Sequence, residues 1–234
     1  MSVICRGISS KEISNKGIPN KRIPSKRIPI SFVLILLLLA PTFAGCQAEA
    51  VPEPTIYQQI HERLVNLQTY RARATIEYIS NKGTNTYETI QHSRITGEYR
   101  IEVTGPEHVA GSITSFDGQH IYQFSNRVNG RVTILSRETK ERSEIFLTAF
   151  IKNWLTGQES SVSVANMDEG QFTVLEAIIP GGHPYLATQK LWISNETLLP
   201  TKMVILDPQG IERVIVTYHN FEYNVELDNA LFSV

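Results

Sequence analysis

The chain is poor in cysteine and in the residue spacings that hold metals or nucleotides. Only two of its 234 residues, Cys5 and Cys46, are cysteines, so it can form at most one internal disulfide. No HxH, HExxH, GxSxG, Walker or GxGxxG motif occurs. The six histidines stand apart in sequence: His61, His92, His108, His120, His183 and His219. The sequence therefore predicts no enzyme, with no catalytic residue, metal or organic cofactor.

Long apolar runs are also scarce, and the one present is shorter than a membrane span. It covers residues 30–40, "ISFVLILLLLA", whereas a spanning helix needs about 20 apolar residues. A basic stretch precedes it and small residues follow, which is the order of an export signal. The closing "PTFAGC" resembles the lipobox of bacterial lipoproteins, which implies cleavage before Cys46 and a diacylglycerol group on its thiol.

We therefore predict a lipoprotein signal peptide over residues 1–45, with a long basic n-region, and a lipidated tether over residues 46–54. Phe43 departs from the aliphatic residue usual three positions before the lipobox cysteine. Two alternatives stay open: an ordinary signal peptide cut after Ala44 or Gly45, or an uncleaved anchor. A single thiol in an exported protein favours lipidation, since it has no intramolecular partner.

The leader contains a tandem pentapeptide repeat, "NKGIP", "NKRIP" and "SKRIP", at residues 15–29. A proline in each unit prevents one continuous helix. The alternatives are an extended basic n-region, a nucleic-acid arm, a repeat expansion or a start codon placed too far upstream. The last two are favoured, because the leader's basic charge does not extend into the remaining chain.

Charge separates the leader from the rest of the chain. Residues 1–45 contain seven Lys/Arg and one acid, so residues 46–234 have a net charge of −7. Nucleic-acid binding is not expected of such a chain, because it requires clustered cations. The predicted membrane attachment rests on the lipid, and a diacylated cysteine supplies the two chains needed for stable anchoring. The expected location is the extracytoplasmic face of the cell membrane.

Residues 55–234 are predicted to form one domain that begins with a helix. Thr55 and Gln58 have the spacing of a capping box, and the helix is predicted to run to Tyr70. Its apolar face consists of Ile56, Ile60, Leu64 and Leu67. Residues 72–79, "ARATIEYI", then alternate as in a strand with one buried face.

Short alternating segments and hairpin turns follow, among them Asp117-Gly118 and Asn129-Gly130. The segments are "GEYRIEVTG", "GSITSF", "HIYQF", "RVTIL", "SVSVANM", "FTVLEAII", "QKLWIS", "TKMVIL" and "ERVIVTYHNFEY". They predict an antiparallel meander of about ten strands, and a sheet of that many strands should curl, because it rarely stays flat. "MVIL" and "VIV" are apolar on both faces, which predicts a sheet covered on both sides, by helices on one and by a partner or a second copy on the other. The fold class is thus α+β, mainly β.

A second helix is predicted within the strands, over residues 143–157, with Ser143 as its cap and Gly157 at its end. It is expected to cover the concave face of the sheet. Its candidate cavity-covering residues are Phe146, Phe150 and Trp154, for which core packing is favoured over ligand binding.

Three polar features have structural interpretations that we favour over catalytic ones. Asp168-Glu169 lies in a predicted glycine turn. Glu176 is expected to pair with a Lys or Arg of a neighbouring strand. The segment "GGHPY" at 181–185 is predicted to be a turn.

Four strings carry a resemblance to a known family: "GSITSFDGQHIYQF", "FLTAFIKNWL", "LEAIIPGGHPYLATQKLWIS" and "VTYHNFEYN". They resemble the germination lipoproteins of the GerS family, within the superfamily of LolA/LolB-like outer-membrane lipoprotein carriers. The resemblance implies a LolA-like half-barrel over residues 55–234, which is an incomplete β-barrel formed by a strongly curved antiparallel sheet. It further implies a membrane-tethered, non-enzymatic protein of the sporulating cell, located in the intermembrane space of the developing spore. Its implied partner is a cortex-specific N-acetylmuramoyl-L-alanine amidase that it activates.

Two classes of function remain open at this stage. In the first, the domain binds and activates the amidase through a sheet edge or the convex face, and the same edge can pair with a second copy to form a homodimer. In the second, it carries or binds lipid or acyl chains in an open cavity under the inserted helix. A permanent anchor argues against a carrier, because a carrier has to move between membranes.

Overall fold

The computed structural model describes residues 53–125, 131–136 and 143–233, which belong to one compact unit, Pro52–Val234. The predicted signal peptide, the lipidation site Cys46 and the turn Asn129-Gly130 lie outside the described residues. The two α-helices are α1, Ile56–Val65, and α2, Leu147–Thr156. Three short 3-10 helices cover Glu107–Val109, Ser143–Ile145 and Asn229–Leu231.

Eleven strands form a single antiparallel sheet in the described part of the chain. They are β1 Thr69–Ser80, β2 Gly83–Arg94, β3 Tyr99–Gly105, β4 Ile113–Phe116, β5 His120–Ser125, β6 Arg131–Ser136, β7 Ser160–Met167, β8 Gly170–His183, β9 Leu186–Ser194, β10 Pro200–Leu206 and β11 Glu212–Tyr223. The mainly-β prediction and its strands are confirmed, with β2 as an additional strand.

The strand order differs from the single meander that the sequence predicts. It reads β6-β5-β4-β3-β2-β1-β11-β10-β9-β8-β7, so two meanders are joined by the pairing of β1 with β11. In this pairing Tyr70 lies opposite Tyr223 and Tyr78 opposite Val214. The chain leaves the sheet between β6 and β7, where α2 is inserted. As a result β6 and β7 are the two edges, and the sheet is not closed.

Strand β2 was not predicted because its inward-facing residues are polar. Thr89, Gln91 and Ser93 are each at most 3% exposed. The two hydroxyls are hydrogen-bonded, for example Thr89 Oγ1 to Ala74 O at 2.9 Å, and Gln91 Oε1 accepts from Tyr70 Oη, whereas Gln91 Nε2 is buried without a partner among the described residues. A strand whose buried face is polar lacks the apolar alternation on which the prediction depends.

Helix α1 has the predicted capping box but is shorter than predicted. Gln58 N donates to Thr55 Oγ1 at 3.2 Å and Thr55 N to Gln58 Oε1 at 2.7 Å. The helix ends at Val65, and not at Tyr70, because Gln68 N donates to Asn224 Oδ1 at 2.7 Å and the chain turns there into β1. Its buried residues are Ile60 and Leu64, while Ile56 is 39% exposed; Leu67, predicted on the same face, is buried just beyond the end of the helix.

Helix α2 begins later than predicted and lacks the predicted Ser143 cap. Ser143 lies in a 3-10 turn, and the N-cap Phe146 makes no side-chain capping bond. A tertiary contact replaces the cap, since Leu147 N donates to Tyr70 Oη at 3.2 Å. The predicted end at Gly157 is confirmed. A Cβ atom there would lie 2.6 Å from Asn153 O, so even alanine would force the backbone to shift.

The sheet bends around α2, as two contacts of this helix show. Near its start Phe146 stacks on Tyr99 of β3 at 4.5 Å between ring centroids, and near its end Asn153 Nδ2 donates to Gln189 Oε1 of β9 at 2.9 Å. These two residues lie about 10 Å apart along the helix. Strands β3 and β9 are five pairings apart in the sheet order, which would separate them by about 24 Å in a flat sheet.

The outer face of the sheet is covered partly by the C-terminal segment. Phe232 is 1% exposed, its ring lies 4.7 Å from the Arg94 guanidinium, and Arg100 Nη1 donates to Leu231 O at 3.4 Å. Farther along this face Lys202 lies over the Trp192 ring at 5.4 Å. The covering predicted for the second face thus comes, in the described residues, from the chain's own C-terminal segment and long side chains.

Candidate functional site

The structure buries all three residues predicted to cover the cavity. Phe146, Phe150 and Trp154 are 2%, 0% and 6% exposed, and they belong to the main hydrophobic core together with residues of α1 and the inner sheet face. The Trp154 ring meets the edge of His61 of α1 at 5.5 Å. The concave face beneath α2 is therefore packed with the protein's own side chains.

A buried polar network fixes the start of α2 on the sheet. Tyr70 Oη donates to Gln91 Oε1 at 2.9 Å and accepts the hydrogen bond from Leu147 N. Ser93 Oγ lies 2.8 Å from Thr148 Oγ1. Burial raises the pKa of Tyr70 well above its ordinary value, as does the nearby Tyr218. The hydroxyl therefore stays protonated and remains a donor.

Tyr70→Phe is expected to lower the free energy of unfolding by about 2 kcal/mol, since it leaves a buried N–H and a buried amide oxygen without their partner. Urea denaturation of the two proteins measures the difference. Tyr57→Phe is the matched control, because Tyr57 is 42% exposed on α1. Equal losses in the two variants would contradict a role of the Tyr70 hydroxyl in fixing α2.

The titratable groups do not form a catalytic cluster in the part of the chain that the structure describes. There, no three His, Cys, Asp or Glu side chains come close enough to hold a metal ion. The predicted pairing of Glu176 is confirmed, with Lys190 Nζ 3.2 Å from Glu176 Oε2 across β8 and β9. Burial lowers the pKa of His92, and Arg71 and Arg100 lower it further. Asp168-Glu169 forms the exposed turn between β7 and β8.

A cavity of about 670 Å³ lies between the β1–β2 turn and the β8–β9 turn. Of the "GGHPY" segment predicted to be a turn, Pro184 and Tyr185 form the second turn, whereas Gly181, Gly182 and His183 still belong to β8, the two glycines at φ of +106° and +63°. His183 and Tyr185 from this segment line the cavity together with Asn81, Lys82 and Arg213. Sequence reasoning missed the last three, because turn residues and a strand arginine about 130 positions apart carry no common motif.

The β7 edge of the sheet is exposed. Seven of its eight residues are exposed, and its described pairing is with β8 alone. Val162 and Val164 are 46% and 61% exposed. Val162 lies opposite Leu175, which is fully buried in the core, so both valines are on the inner face of the sheet. An edge of this kind offers unpaired backbone groups and apolar side chains to another strand.

Residues that a membrane anchor would need are mostly outside the described chain. Cys46 is not among the described residues, and of the tether only Glu53 and Pro54 are. Across residues 53–125, 131–136 and 143–233, no helix has both the length and the apolar character needed to cross a membrane.

One open antiparallel sheet folded over two helices defines a class of mainly-β proteins in which the core lies between the helices and the inner face of the sheet. The chain belongs to the sporulation protein YdcC-like family, whose sequence model matches residues 26–232. A search of curated protein sequences found no match.

Several solved structures are similar to this chain. One is the complex of the CwlD amidase from Clostridioides difficile with the GerS lipoprotein, with 29% identity over 76% of this chain and 99% of the matched chain, at a TM-score of 0.44. An uncharacterized conserved protein from Thermus thermophilus matches at 14% identity over 77% of this chain and 94% of its own, at a TM-score of 0.48. A LolA superfamily protein from Nitrosomonas europaea matches at 14% identity over 79% of this chain and 99% of its own, at a TM-score of 0.42.

Proposed function

We propose that this protein is a membrane-anchored, non-catalytic lipoprotein of the sporulating cell that binds and supports a cortex N-acetylmuramoyl-L-alanine amidase. Family membership supports the role in sporulation. The GerS lipoprotein, which the four strings of this sequence resemble, forms a complex with the CwlD amidase. The observation that carries the proposal is the exposed β7 edge, since a binding protein without a catalytic cluster acts through an accessible surface.

The edge is suited to pairing with a strand of the partner. An added strand would form main-chain hydrogen bonds along β7, and Val162 and Val164 would contact alternate side chains of that strand. Both valines face the packed core side, so the added strand would extend the sheet beside α2.

Val164→Lys is expected to reduce amidase recovery at least tenfold when the tagged full chain is isolated from sporulating cells. A lysine on an edge strand opposes pairing, because its charge would be buried by the added strand. The matched control is Ile134→Lys on β6, since Ile134 is also 61% exposed and lies on the opposite edge. Mass spectrometry of the recovered proteins measures the amidase.

Both variants should keep the wild-type unfolding temperature, because both side chains are largely in solvent. Undiminished recovery with Val164→Lys would contradict binding at β7. If only Ile134→Lys loses the amidase, the amidase binds at the β6 edge and not at β7. Recovery of acyl lipids and no amidase with the wild type would contradict the proposed function itself.

The anchor in this proposal is a diacylglycerol group on Cys46. Residues 46–54 would then connect the lipid to α1, and nine extended residues reach about 30 Å. The domain would therefore work close to the extracytoplasmic face of the membrane, in the intermembrane space of the developing spore. This position limits its partners to proteins that come within a few nanometres of the bilayer.

Cys46→Ala is expected to move the protein from the membrane fraction to the soluble fraction without changing its unfolding temperature. The reason is that residue 46 precedes the compact unit Pro52–Val234. Cys5→Ala is the control, because Cys5 would leave with the leader. Fractionation followed by immunoblotting measures the distribution, and complete sedimentation of Cys46→Ala would contradict the lipid anchor.

A further inference from the structure

The cavity between the β1–β2 and β8–β9 turns has an apolar floor and a polar rim. The floor is formed by Ile145, Ile205 and Val214, each at most 7% exposed. The rim consists of Asn81, Lys82, Asn85, His183 and Tyr185. Its volume of about 670 Å³ falls within the range of small-molecule sites. The cavity is separate from the β7 edge and has no part in the proposed binding of the amidase.

The rim is held in place by a buried ion pair. Arg213 Nη2 lies 2.6 Å from Asp207 Oδ2, and the side chains are 16% and 0% exposed. Arg213 Nη1 also donates to Asn81 Oδ1 at 3.4 Å, and its guanidinium lies 5.7 Å from the Tyr185 ring centroid. One arginine thus positions residues from both turns, which are otherwise distant in sequence.

The charges in and around the rim sum to zero, and the rim has several hydrogen-bond donors. Asp207 neutralises Arg213, and Lys82 and Glu144 contribute one charge of each sign. Tyr185 N donates to His183 Nδ1 at 3.1 Å, which leaves the proton of the neutral ring on Nε2. Because Asn81 uses its oxygen for Arg213, its amide N–H groups remain available. A neutral ligand with several acceptor oxygens fits these groups better than an ion does.

We propose that this cavity binds a glycan of N-acetylated amino sugars. Tyr185 is 57% exposed, and with Arg213 on one side its other ring face can carry the apolar face of a sugar. Asn81 Nδ2 and His183 Nε2 would donate to acetamido and hydroxyl oxygens. The acetamido methyl group would lie on the floor formed by Ile205 and Val214. The choice of an amino-sugar glycan rests on the proposed function, since the partner's substrate is peptidoglycan.

The polar rim also distinguishes this ligand from an acyl chain. Binding a chain of methylene groups would remove water from Asn81, Asn85 and His183 without giving them new hydrogen bonds, which is costly. The interior beneath α2, which is apolar enough for such a chain, is filled by Phe146, Phe150 and Trp154.

The test is calorimetric titration of the purified full chain in detergent micelles with chitotetraose, the tetramer of N-acetylglucosamine. Saturable binding is expected, at least tenfold weaker for Tyr185→Ala and unchanged for Tyr57→Ala, a control on another exposed tyrosine. Cellotetraose has the same backbone without acetamido groups and should bind at least tenfold more weakly. Absence of saturable binding, or equal binding by Tyr185→Ala, would overturn the proposal.

A third probe separates this proposal from the acyl alternative and from the proposed function. Binding of dodecanoate that displaces chitotetraose and is lost in Tyr185→Ala would make the cavity an acyl site and overturn the proposal. Val164→Lys is expected to retain chitotetraose binding, and Tyr185→Ala to retain the amidase in the pull-down. Since the titration uses the purified chain alone, its result holds whether or not the amidase is recovered.

Discussion

Phe150→Ala is expected to lower the free energy of unfolding by about 3–5 kcal/mol. The Phe150 ring is fully buried on the inner side of α2, where the sheet bends around the helix, and its removal leaves a cavity that these fixed strands cannot fill. Domains of this kind are stable by only about 5–15 kcal/mol. A single substitution would thus remove about a fifth or more of the stability, which urea denaturation monitored by circular dichroism can measure.

Trp154→Ala should give a loss on the order of 3 kcal/mol, since Trp154 is 6% exposed and also contacts His61 of α1. Leu155→Ala is the control on the same helix, because Leu155 is 46% exposed and should cost under about 0.5 kcal/mol. Losses for Phe150→Ala and Trp154→Ala as small as the control's would show that α2 does not form the core.

Asp207→Asn is expected to lower the melting temperature by several degrees at neutral pH. The Asp207 carboxylate is fully enclosed, accepts hydrogen bonds from Gln209 N and Ile211 N at 3.0 and 2.9 Å, and pairs with Arg213. Asparagine has the same shape and retains an acceptor, but it leaves the largely buried Arg213 without its counter-charge. The variant therefore removes the charge together with the Oδ2 acceptor of Arg213, and keeps the Oδ1 acceptor of Gln209 N and Ile211 N.

The same carboxylate makes stability depend on pH. Burial alone would raise the pKa of Asp207, but the hydrogen bonds from Ile211, Arg213 and Gln209 outweigh it and lower the pKa. A depressed pKa stabilises the folded state above the ordinary carboxyl value, and this contribution is lost as the pH falls through the folded-state pKa. The stability difference between wild type and Asp207→Asn should be largest above about pH 5 and shrink below about pH 4.

Thermal melts between pH 7 and pH 3 measure this difference. Asp168→Asn is the control, because Asp168 is exposed in the β7–β8 turn and its substitution should leave the melting temperature unchanged. Asp117, whose pKa is lowered by hydrogen bonds from His120 and Gln119 against the effect of burial, contributes equally to all three proteins. A difference that stays constant across this pH range would rule out the charge of Asp207 as its cause.

The sequence carries the information for strands with apolar inner faces, but not for strand β2. The alternation of Ala72, Ala74 and Ile76 in β1 is visible as a pattern. In β2 the buried positions are Thr89, Gln91 and Ser93, and groups of β1 and α2 hydrogen-bond to the Thr89 and Ser93 hydroxyls and to the Gln91 amide oxygen. Those partners exist after folding and leave no local signal.

Non-local contacts also explain the other differences between the predicted and the observed structure. Local spacing cannot show that α2 starts at Leu147, because its first N–H is capped by Tyr70, 77 residues away. The strand order depends on the pairing of β1 with β11, which no hairpin turn specifies. The cavity rim likewise depends on Arg213 reaching Asn81 across 132 residues. The aromatic stripe of α2 was predictable, since helical periodicity is a local property.

The central pairing of the first strand with the last has a consequence for how the chain folds. β1 and β11 are adjacent in the sheet but separated by more than 130 residues in sequence, so the seam between the two meanders closes only once the whole chain is available. Such long-range closure is slow compared with hairpin formation. A chain translocated from its N-terminus would hold β1 unpaired on one side until β11 arrives. Premature termination before β11 would leave a central strand as an open, aggregation-prone edge.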